Sequence, residues 1–188
     1  TWRLLIVAIL AFSASQAAVV LAPYWPVKIA AAVLSGLILV RLFIFYHDYL
    51  HGAVLAGSRV GRVVMHAIGY WVLAGPSVWK QTHDYHHKHT AKMVGASIGS
   101  YPIVSVDMWQ MMTEKQRRDY VLVRHPLTMF FGYFTVFVLG MCISPFRRNP
   151  SQHRDGLWAL AFHLALLVAA SLAFGPAVGV TLVFLPVF

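Results

Sequence analysis

The run "VKIAAAVLSGLILVRLFIFYHDYLH", residues 27–51, joins a long apolar stretch to a pair of histidines. Val27–Tyr46 is long and apolar enough to cross a bilayer as a helix. Arg41 would be costly at the bilayer centre, so we expect it near an interface. No Pro or Gly follows until Gly52, and a helix rises about 1.5 Å per residue. The helix is therefore predicted to continue beyond the lipid and to carry the two histidines there.

The composition of the whole chain is that of a polytopic membrane protein. Of 188 residues, 59% are hydrophobic and 11% are charged, with a mean hydropathy of +0.67. Soluble domains contain about 25% charged residues. The net charge of +9 does not indicate nucleic-acid binding here, because basic residues of apolar chains gather in cytoplasmic loops and contact anionic lipid. A single cysteine, Cys142, excludes an intramolecular disulfide.

Other apolar stretches extend this interpretation to the rest of the chain. Arg62–Pro76 is too short to cross a bilayer and is predicted to be interfacial or re-entrant. The sequence thus predicts an all-α membrane protein with about four transmembrane helices and a cytosolic helical cap, forming one domain over residues 1–188. Both ends fall in or beside apolar stretches, so we expect a chain truncated at both ends. The three further candidate spans are Leu4–Leu21, Leu127–Phe146 and Leu157–Phe174.

Two local signals predict helix starts outside the spans. Ser77 follows Pro76 and is a plausible N-cap for a helix that carries a second group of histidines. "TEKQ", Thr113–Gln116, has the residues of a capping box and should open a short surface helix.

The distribution of charge predicts which face of the membrane the histidines occupy. Residues 47–125 contain nine Lys or Arg, whereas the "PYWP" turn at residues 23–26 is followed by Lys28 alone. The turn Ser144–Gly156 is expected on the side opposite the histidines. It carries three arginines, which reduce the difference in positive charge between the two faces of the membrane. The positive-inside rule still favours a cytoplasmic location for both histidine groups.

The histidines are spaced so that they can share helix faces. His47 and His51 are four residues apart, and "WKQTHDYHHKHT", residues 79–90, places His83, His86 and His87 at intervals of three and four. Neutral imidazole binds Zn, Cu, Fe and Ni, and no cysteine lies nearby to form a structural thiolate site. Five imidazoles exceed the needs of one tetrahedral ion. We therefore predict that two metal ions share them.

Two aspartates and the other histidines are weighed as further members of the site. Asp48 and Asp84 each follow the first histidine of a group, where they either orient ligand rings through N–H bonds or are simply solvated. His163 lies inside the last predicted span, where it is a functional candidate or a partner in a bond between helices, and we leave it out of the site. The remaining histidines are interpreted as ordinary surface or interior residues: His66, His89, His125 and His153.

These motifs resemble those of the integral-membrane fatty acid desaturases. "HDYLH" at residues 47–51 is similar to their HxxxH box and "HDYHH" at residues 83–87 to their HxxHH box. The longer run at residues 79–90 also fits that family's W-(R/K)-x-x-H-x-x-H-H-x-x-T pattern. The resemblance covers the middle of the chain through its motifs and the flanking spans through their order.

The resemblance implies a non-haem di-iron centre that activates O₂ and removes two hydrogens from an acyl chain. Its implied ligands are His47, His51, His83, His86 and His87. The implied substrate is a fatty acyl lipid, acyl-CoA or acyl-carrier conjugate, and the implied electron donor is a ferredoxin, rubredoxin or cytochrome b5. The family's third box, (H/Q)xxHH, does not occur after His87. We therefore expect the stretch by itself to hold an incomplete centre.

Alternatives remain at this point. Membrane hydroxylases of alkanes, sterols or carotenoids use similar histidine boxes, and a non-enzymatic metal-binding or transport protein would also contain histidines. Several basic residues could attract an acidic electron donor, although contact with lipid headgroups is the simpler interpretation. They are Lys80, Lys88, Lys92, Arg117 and Arg118.

Overall fold

The computed structural model describes residues 1–89 and 103–188, and all of its regular elements in those ranges are helical. This confirms the predicted all-α class. The first range holds α1 Trp2–Leu21, α2 Trp25–Leu50, α3 Arg59–Trp71 and α4 Pro76–Lys88. The second holds α5 Val106–Met111, α6 Glu114–Arg124, α7 Pro126–Phe130, α8 Ser144–Arg148, α9 Arg154–Phe174 and α10 Pro176–Gly179, with π-helices at Tyr133–Ile143 and Val180–Phe184.

Three helices of the described ranges are long and apolar enough to cross a membrane: α1, α2 and α9. The predicted span Leu157–Phe174 lies within α9. The predicted span Leu127–Phe146 is instead divided into α7, a π-helix and α8. Residues 131 and 132 separate the first two pieces, and Pro145 lies in the first turn of α8. Because proline removes a backbone donor, one continuous α-helix is disfavoured there.

Helices α1 and α2 form an antiparallel hairpin tied at its turn. The Lys28 ammonium donates to the carbonyls of Val19 and Val20 at 2.7 and 2.8 Å. These carbonyls belong to the last turn of α1 and have no partner within the helix. Halfway along, the hydroxyls of Ser15 and Ser35 are 2.8 Å apart. These contacts fix the position of α2 along α1.

The far end of α2 is continuous through Leu50, as the absence of helix breakers predicted. Tyr46 is fully buried there, and its hydroxyl donates to the carbonyl of Ala74 at 2.6 Å. Its ring lies against Gly69 of α3. Because Ala74 lies two residues before the start of α4, this bond brings the start of α4 beside the end of α2.

The caps of two helices test the local sequence signals. The capping box at Thr113 and Gln116 is present at the start of α6, as predicted. The predicted N-cap at Ser77 is wrong, because the N-cap of α4 is Gly75, two residues earlier, and the helix begins at Pro76. Proline is favoured in the first helical turn, where its missing N–H would have no partner anyway. Ser77 is thus inside the helix and free to bond elsewhere.

The start of α9 lies at the histidine end of the bundle, whereas the sequence had predicted it at the opposite end. The turn Ser144–Gly156 was expected opposite the histidines, but Asp155 bonds to Ser77 at the start of α4, and Gly156 packs against the backbone of Cys142. The other half of α9 packs near the α1–α2 turn, where Leu166 and Leu167 approach the core around Val19. The turn therefore lies at the histidine end of the bundle, because the segment before it is not one complete crossing.

We expect Gly69→Ala to destabilise the fold, because a methyl group there would lie 2.5 Å from Cζ of the buried Tyr46 ring. Such overpacking costs about 1–3 kcal/mol. Gly132→Ala is the matched control, since Gly132 is helical and a methyl group there meets open space. Thermal unfolding in detergent should show a lower melting temperature for Gly69→Ala alone. Equal melting temperatures for the two variants would contradict the packing described for Tyr46.

Candidate metal centre

Four histidines converge where α2 and α4 meet. His47 lies in the last turn of α2, His51 is its C-cap residue, and His83 and His87 lie one turn apart on α4. Each of these histidines contributes one ring nitrogen to the cluster, and these four nitrogens all lie within 4.8 Å of one another. His47 and His83 are half-buried, whereas His51 and His87 are exposed. The structure thus brings together four of the five histidines that the sequence predicted as ligands.

The shortest contacts join Nε2 atoms. Nε2 of His83 lies 2.9 Å from Nε2 of His47 and 2.8 Å from Nε2 of His87. Nδ1 of His47 is 2.8 Å from a carboxylate oxygen of Asp48, which only accepts when ionised, so Nδ1 carries the proton and Nε2 presents its lone pair. A metal ion placed among these atoms would accept the lone pair of His47 Nε2.

The spacing of the nitrogens suits a transition metal. Two imidazole nitrogens bound at right angles to one ion, each about 2.1 Å from it, are separated by about 3.0 Å. The observed contacts of 2.8 and 2.9 Å are close to that value. All four donors are imidazoles, which suit Zn, Cu, Fe and Ni. The residues present therefore fit a histidine-bound metal.

Aromatic rings form the base of the cluster on its membrane side. Trp79 stacks on His83 with ring centroids 4.1 Å apart and meets His47 edge-on at 5.3 Å. Its indole also contacts Phe43 of α2 at 5.8 Å. These contacts hold the His83 ring in place and separate the nitrogens from the apolar interior.

The two aspartates make different contacts. Asp48 bonds to His47 at 2.8 Å, a contact that can orient a ligand ring. Asp84 pairs with the ammonium of Lys80 at 3.1 Å. The hydrogen bond from Lys80 lowers the pKa of the Asp84 carboxyl below its usual range. The roles of both residues in metal binding stay predictions.

The environment favours the neutral form of two of these imidazoles, those of His83 and His51. Burial lowers the pKa of His83 to about 4, with further lowering by neighbouring rings, first His47 and then His87. Burial and the same two neighbours, His47 and His87, lower the pKa of His51. Neutral imidazole is the form that binds metals, because a protonated ring nitrogen has no lone pair to donate. At neutral pH, the His83 ring needs to lose no proton before binding.

His86 is not part of the four-histidine group. Its ring centroid lies 6.0 Å from that of His83 and 5.9 Å from that of His87. Its assignment as a ligand stays a prediction. His89 lies at the C-terminal end of α4, where its ring stacks on Tyr85 at 4.0 Å and its Nδ1 donates to the Tyr85 carbonyl.

Two histidines that the sequence did not assign to the site are buried. His153 precedes α9 and bonds to Ser77 at the start of α4. His163 is fully buried in α9, and its Nδ1 donates to the carbonyl of Trp71 at 2.7 Å. The structure therefore shows that His163 makes a bond between helices, one of the two interpretations left open by the sequence. Spacing alone gave no signal for His153, because its partner is 76 residues away.

Comparison with known proteins gives one distant similarity. A protein named fatty acid desaturase, from Bacillus subtilis strain 168, is 22% identical to this chain over 144 residues. The alignment covers 76% of this chain and 40% of the relative, so the chain spans less than half of that protein's length. No protein-family model and no solved structure matches. The similarity and the histidine cluster are both consistent with the family that the motifs resemble.

We predict that replacing His47, His51, His83 or His87 by alanine weakens metal binding by at least about tenfold. Removing a residue that only supports a ligand costs about 10–100-fold in affinity, so removing a ligand itself should cost no less. The measurement is a titration of the purified, chelator-treated protein with Co²⁺, followed by visible absorption. His89→Ala is the control, since that ring bonds to its own helix. Equal Co²⁺ affinities for His83→Ala and His89→Ala would exclude the proposed cluster.

Proposed function

We propose that this chain is part of an O₂-dependent membrane desaturase of fatty acyl chains with a histidine-bound di-iron centre. The observation that carries the proposal is the convergence of four imidazoles at the end of a membrane-spanning helix. The similarity to a protein named fatty acid desaturase supports the same class. When bound, iron supplies the oxidant that an unactivated C–H bond requires and that no side chain provides.

The residues of this chain would bind and orient the metal. We propose His47, His51, His83 and His87 as ligands, with His86 as a fifth. Asp48 would fix the His47 ring by accepting a hydrogen bond from its Nδ1–H group. Two ions need more ligands than these five imidazoles, so we propose that residues outside the 188 supply the others.

A small apolar cavity suggests a place for the acyl chain near the cluster. The cavity has a volume of about 140 Å³ and lies within the membrane part of the bundle. One of its walls is Phe43, whose ring contacts Trp79, and Trp79 stacks on His83. We propose that this cavity holds methylene groups and that its walls exclude water from them. Its other lining residues are Gly36, Leu39, Val40, Val72, Phe137, Pro186 and Val187.

We propose a cytoplasmic location for the histidine cluster. The turn Ser144–Gly156 contains Arg147, Arg148 and Arg154, and its Asp155 bonds to α4. These three arginines thus add to the basic residues of the histidine end, whereas the sequence had suggested that they oppose them. Positive charge concentrated at one end of a membrane bundle favours the cytoplasm for that end.

The proposed partners follow from the reaction. Desaturation needs an electron donor, for which we propose a ferredoxin, rubredoxin or cytochrome b5, and an acyl lipid, acyl-CoA or acyl-carrier substrate. Lys80 pairs with Asp84, and Arg117 donates to the carbonyls of Trp109 and Gln110. We therefore propose Lys88 and Arg118 for contact with either a donor or lipid headgroups. Lys92, also considered from the sequence, lies outside the described residues.

Two other functions, hydroxylase and metal transporter, differ from a desaturase. The hydroxylase differs in its product, and the transporter differs in where it would place its metal-binding residues. A hydroxylase would place similar metals near the same cavity and release an alcohol. A metal transporter would be expected to place ionisable residues near the midplane. In the described ranges, the four-histidine group instead lies at the end of α2 and on α4. This location favours an enzyme over a transporter.

The test of the function is to express the full-length protein in a host that lacks the activity and to analyse its acyl lipids by mass spectrometry. We expect new double bonds with the wild type and with His89→Ala, and a loss of at least about a hundredfold with His83→Ala, the size of effect expected when a directly acting group is removed. Hydroxylated lipids would instead support the hydroxylase. Unchanged lipids, despite iron-loaded protein and a supplied electron donor, would contradict both enzymes.

A further inference from the structure

The first turn of α4 is held by a side chain from another helix. Asp155, in the first turn of α9, accepts two hydrogen bonds from Ser77. Its Oδ2 accepts from the Ser77 backbone N–H and its Oδ1 from the Ser77 hydroxyl, both at 2.5 Å. The carboxylate thus binds the backbone and the side chain of one residue simultaneously.

Helix α4 has no cap of its own that could replace this bond. Its N-cap residue is Gly75, which has no side chain to accept a hydrogen bond, and Pro76 has no N–H. The first N–H groups of a helix lack partners within it, and the positive end of its dipole favours a nearby anion. Asp155 supplies both an acceptor and a negative charge there. The start of α4 therefore depends on α9.

Two further groups, the His153 side chain and the backbone at Gly75, pack around the contact between Ser77 and Asp155. His153, which is 6% exposed, lies with its Nδ1 2.9 Å from the Ser77 hydroxyl oxygen. Since the Ser77 hydroxyl donates to Asp155, His153 donates to that oxygen. A Cβ on Gly75 would lie 3.0 Å from the backbone of Asp155 and Gly156. The two helix starts are thus in direct backbone contact, with little room for α4 to slide.

The same helix carries half of the metal-binding nitrogens. His83 is six residues beyond Ser77, which is about 9 Å along a helix at 1.5 Å per residue. No residue between them leaves the helix. His47, the partner of His83, lies on α2, whose position along α1 is fixed by the bonds of Lys28 and Ser35 without any contribution from Asp155. The bond from Tyr46 to Ala74 holds the chain just before α4, and Asp155 holds its first turn. A shift of α4 along or about its axis therefore changes the distance from His83 to His47 directly.

We propose that Asp155 is a positioning residue of the metal centre, which sets the location of His83 and His87 relative to His47 and His51 by holding the first turn of α4. The inference rests on the proposed metal centre but not on the reaction that it performs. Asp155 contacts no metal ligand itself. It acts through Ser77 and the rigid helix that follows.

The test compares Co²⁺ binding and the visible spectrum of bound Co²⁺ in purified wild type, Asp155→Ala and Asp155→Asn. We expect Asp155→Ala to lower Co²⁺ affinity by about 10–100-fold, as for other residues that orient ligands, and to change the spectrum. Asp155→Asn keeps one oxygen acceptor, so it should recover part of the affinity. Asp119→Ala, which removes an exposed carboxylate from α6, is the control for net charge.

Ser77→Ala covers the case in which Asp155→Ala fails to fold. It removes the hydroxyl bond but leaves the backbone N–H bond to Asp155, so we expect a smaller loss of affinity than in Asp155→Ala. A merely structural contact would lower the melting temperature of these variants and leave their Co²⁺ affinity and spectrum at wild-type values. That result would overturn the inference, and it would leave the proposed reaction standing. Normal Co²⁺ binding and the expected Asp155 effects, without any lipid oxidation, would overturn only the reaction.

Discussion

The contact between Nε2 of His47 and Nε2 of His83, 2.9 Å long, joins a membrane-spanning helix to a helix beyond its end. Two neutral imidazoles have no reason to meet nitrogen to nitrogen unless a proton or a metal ion lies between them. A third nitrogen, Nε2 of His87, reaches the same point. The candidate site and its proposed chemistry depend on this convergence, because the proposed substrate, an acyl chain in the membrane, would have to meet a metal bound just outside it.

Three sets of contacts from different parts of the chain bring the rings together. The hydroxyl of Tyr46 holds Ala74, two residues before α4, the indole of Trp79 supports the His83 ring, and Asp155 holds the first turn of α4. The bond from Tyr46 to Ala74 is buried, and the bonds from Ser77 to Asp155 are partly buried. A buried polar group left without a partner costs about 1–3 kcal/mol, so the Tyr46 bond in particular resists displacement.

The sequence predicted those features of the fold that depend on neighbours along the chain. The length of the apolar stretch before His47 and the absence of helix breakers predicted that α2 extends beyond the span. Spacings of three and four residues predicted which histidines share a face, and the capping box of α6 is encoded within four residues. These features need no knowledge of the rest of the fold.

Features that depend on distant partners could not be predicted in this way. Ser77 was assigned as a cap because serine prefers that position. Instead, α4 begins at Pro76, and Asp155 from another helix accepts the hydrogen bond of the Ser77 backbone N–H. The location of the Ser144–Gly156 turn was wrong because hydropathy does not show that Leu127–Phe146 breaks into three pieces. His86 has the spacing of a ligand, yet its ring centroid lies 6.0 Å from that of His83 and 5.9 Å from that of His87, and it is not part of the four-histidine group.

The most direct test of the central claim is X-ray absorption spectroscopy of the iron-loaded protein. The account predicts strong multiple scattering from several imidazole rings on the bound metal, reduced when His47 and His83 are both replaced by alanine. A metal surrounded only by oxygen ligands, with a spectrum unchanged by that double replacement, would contradict it.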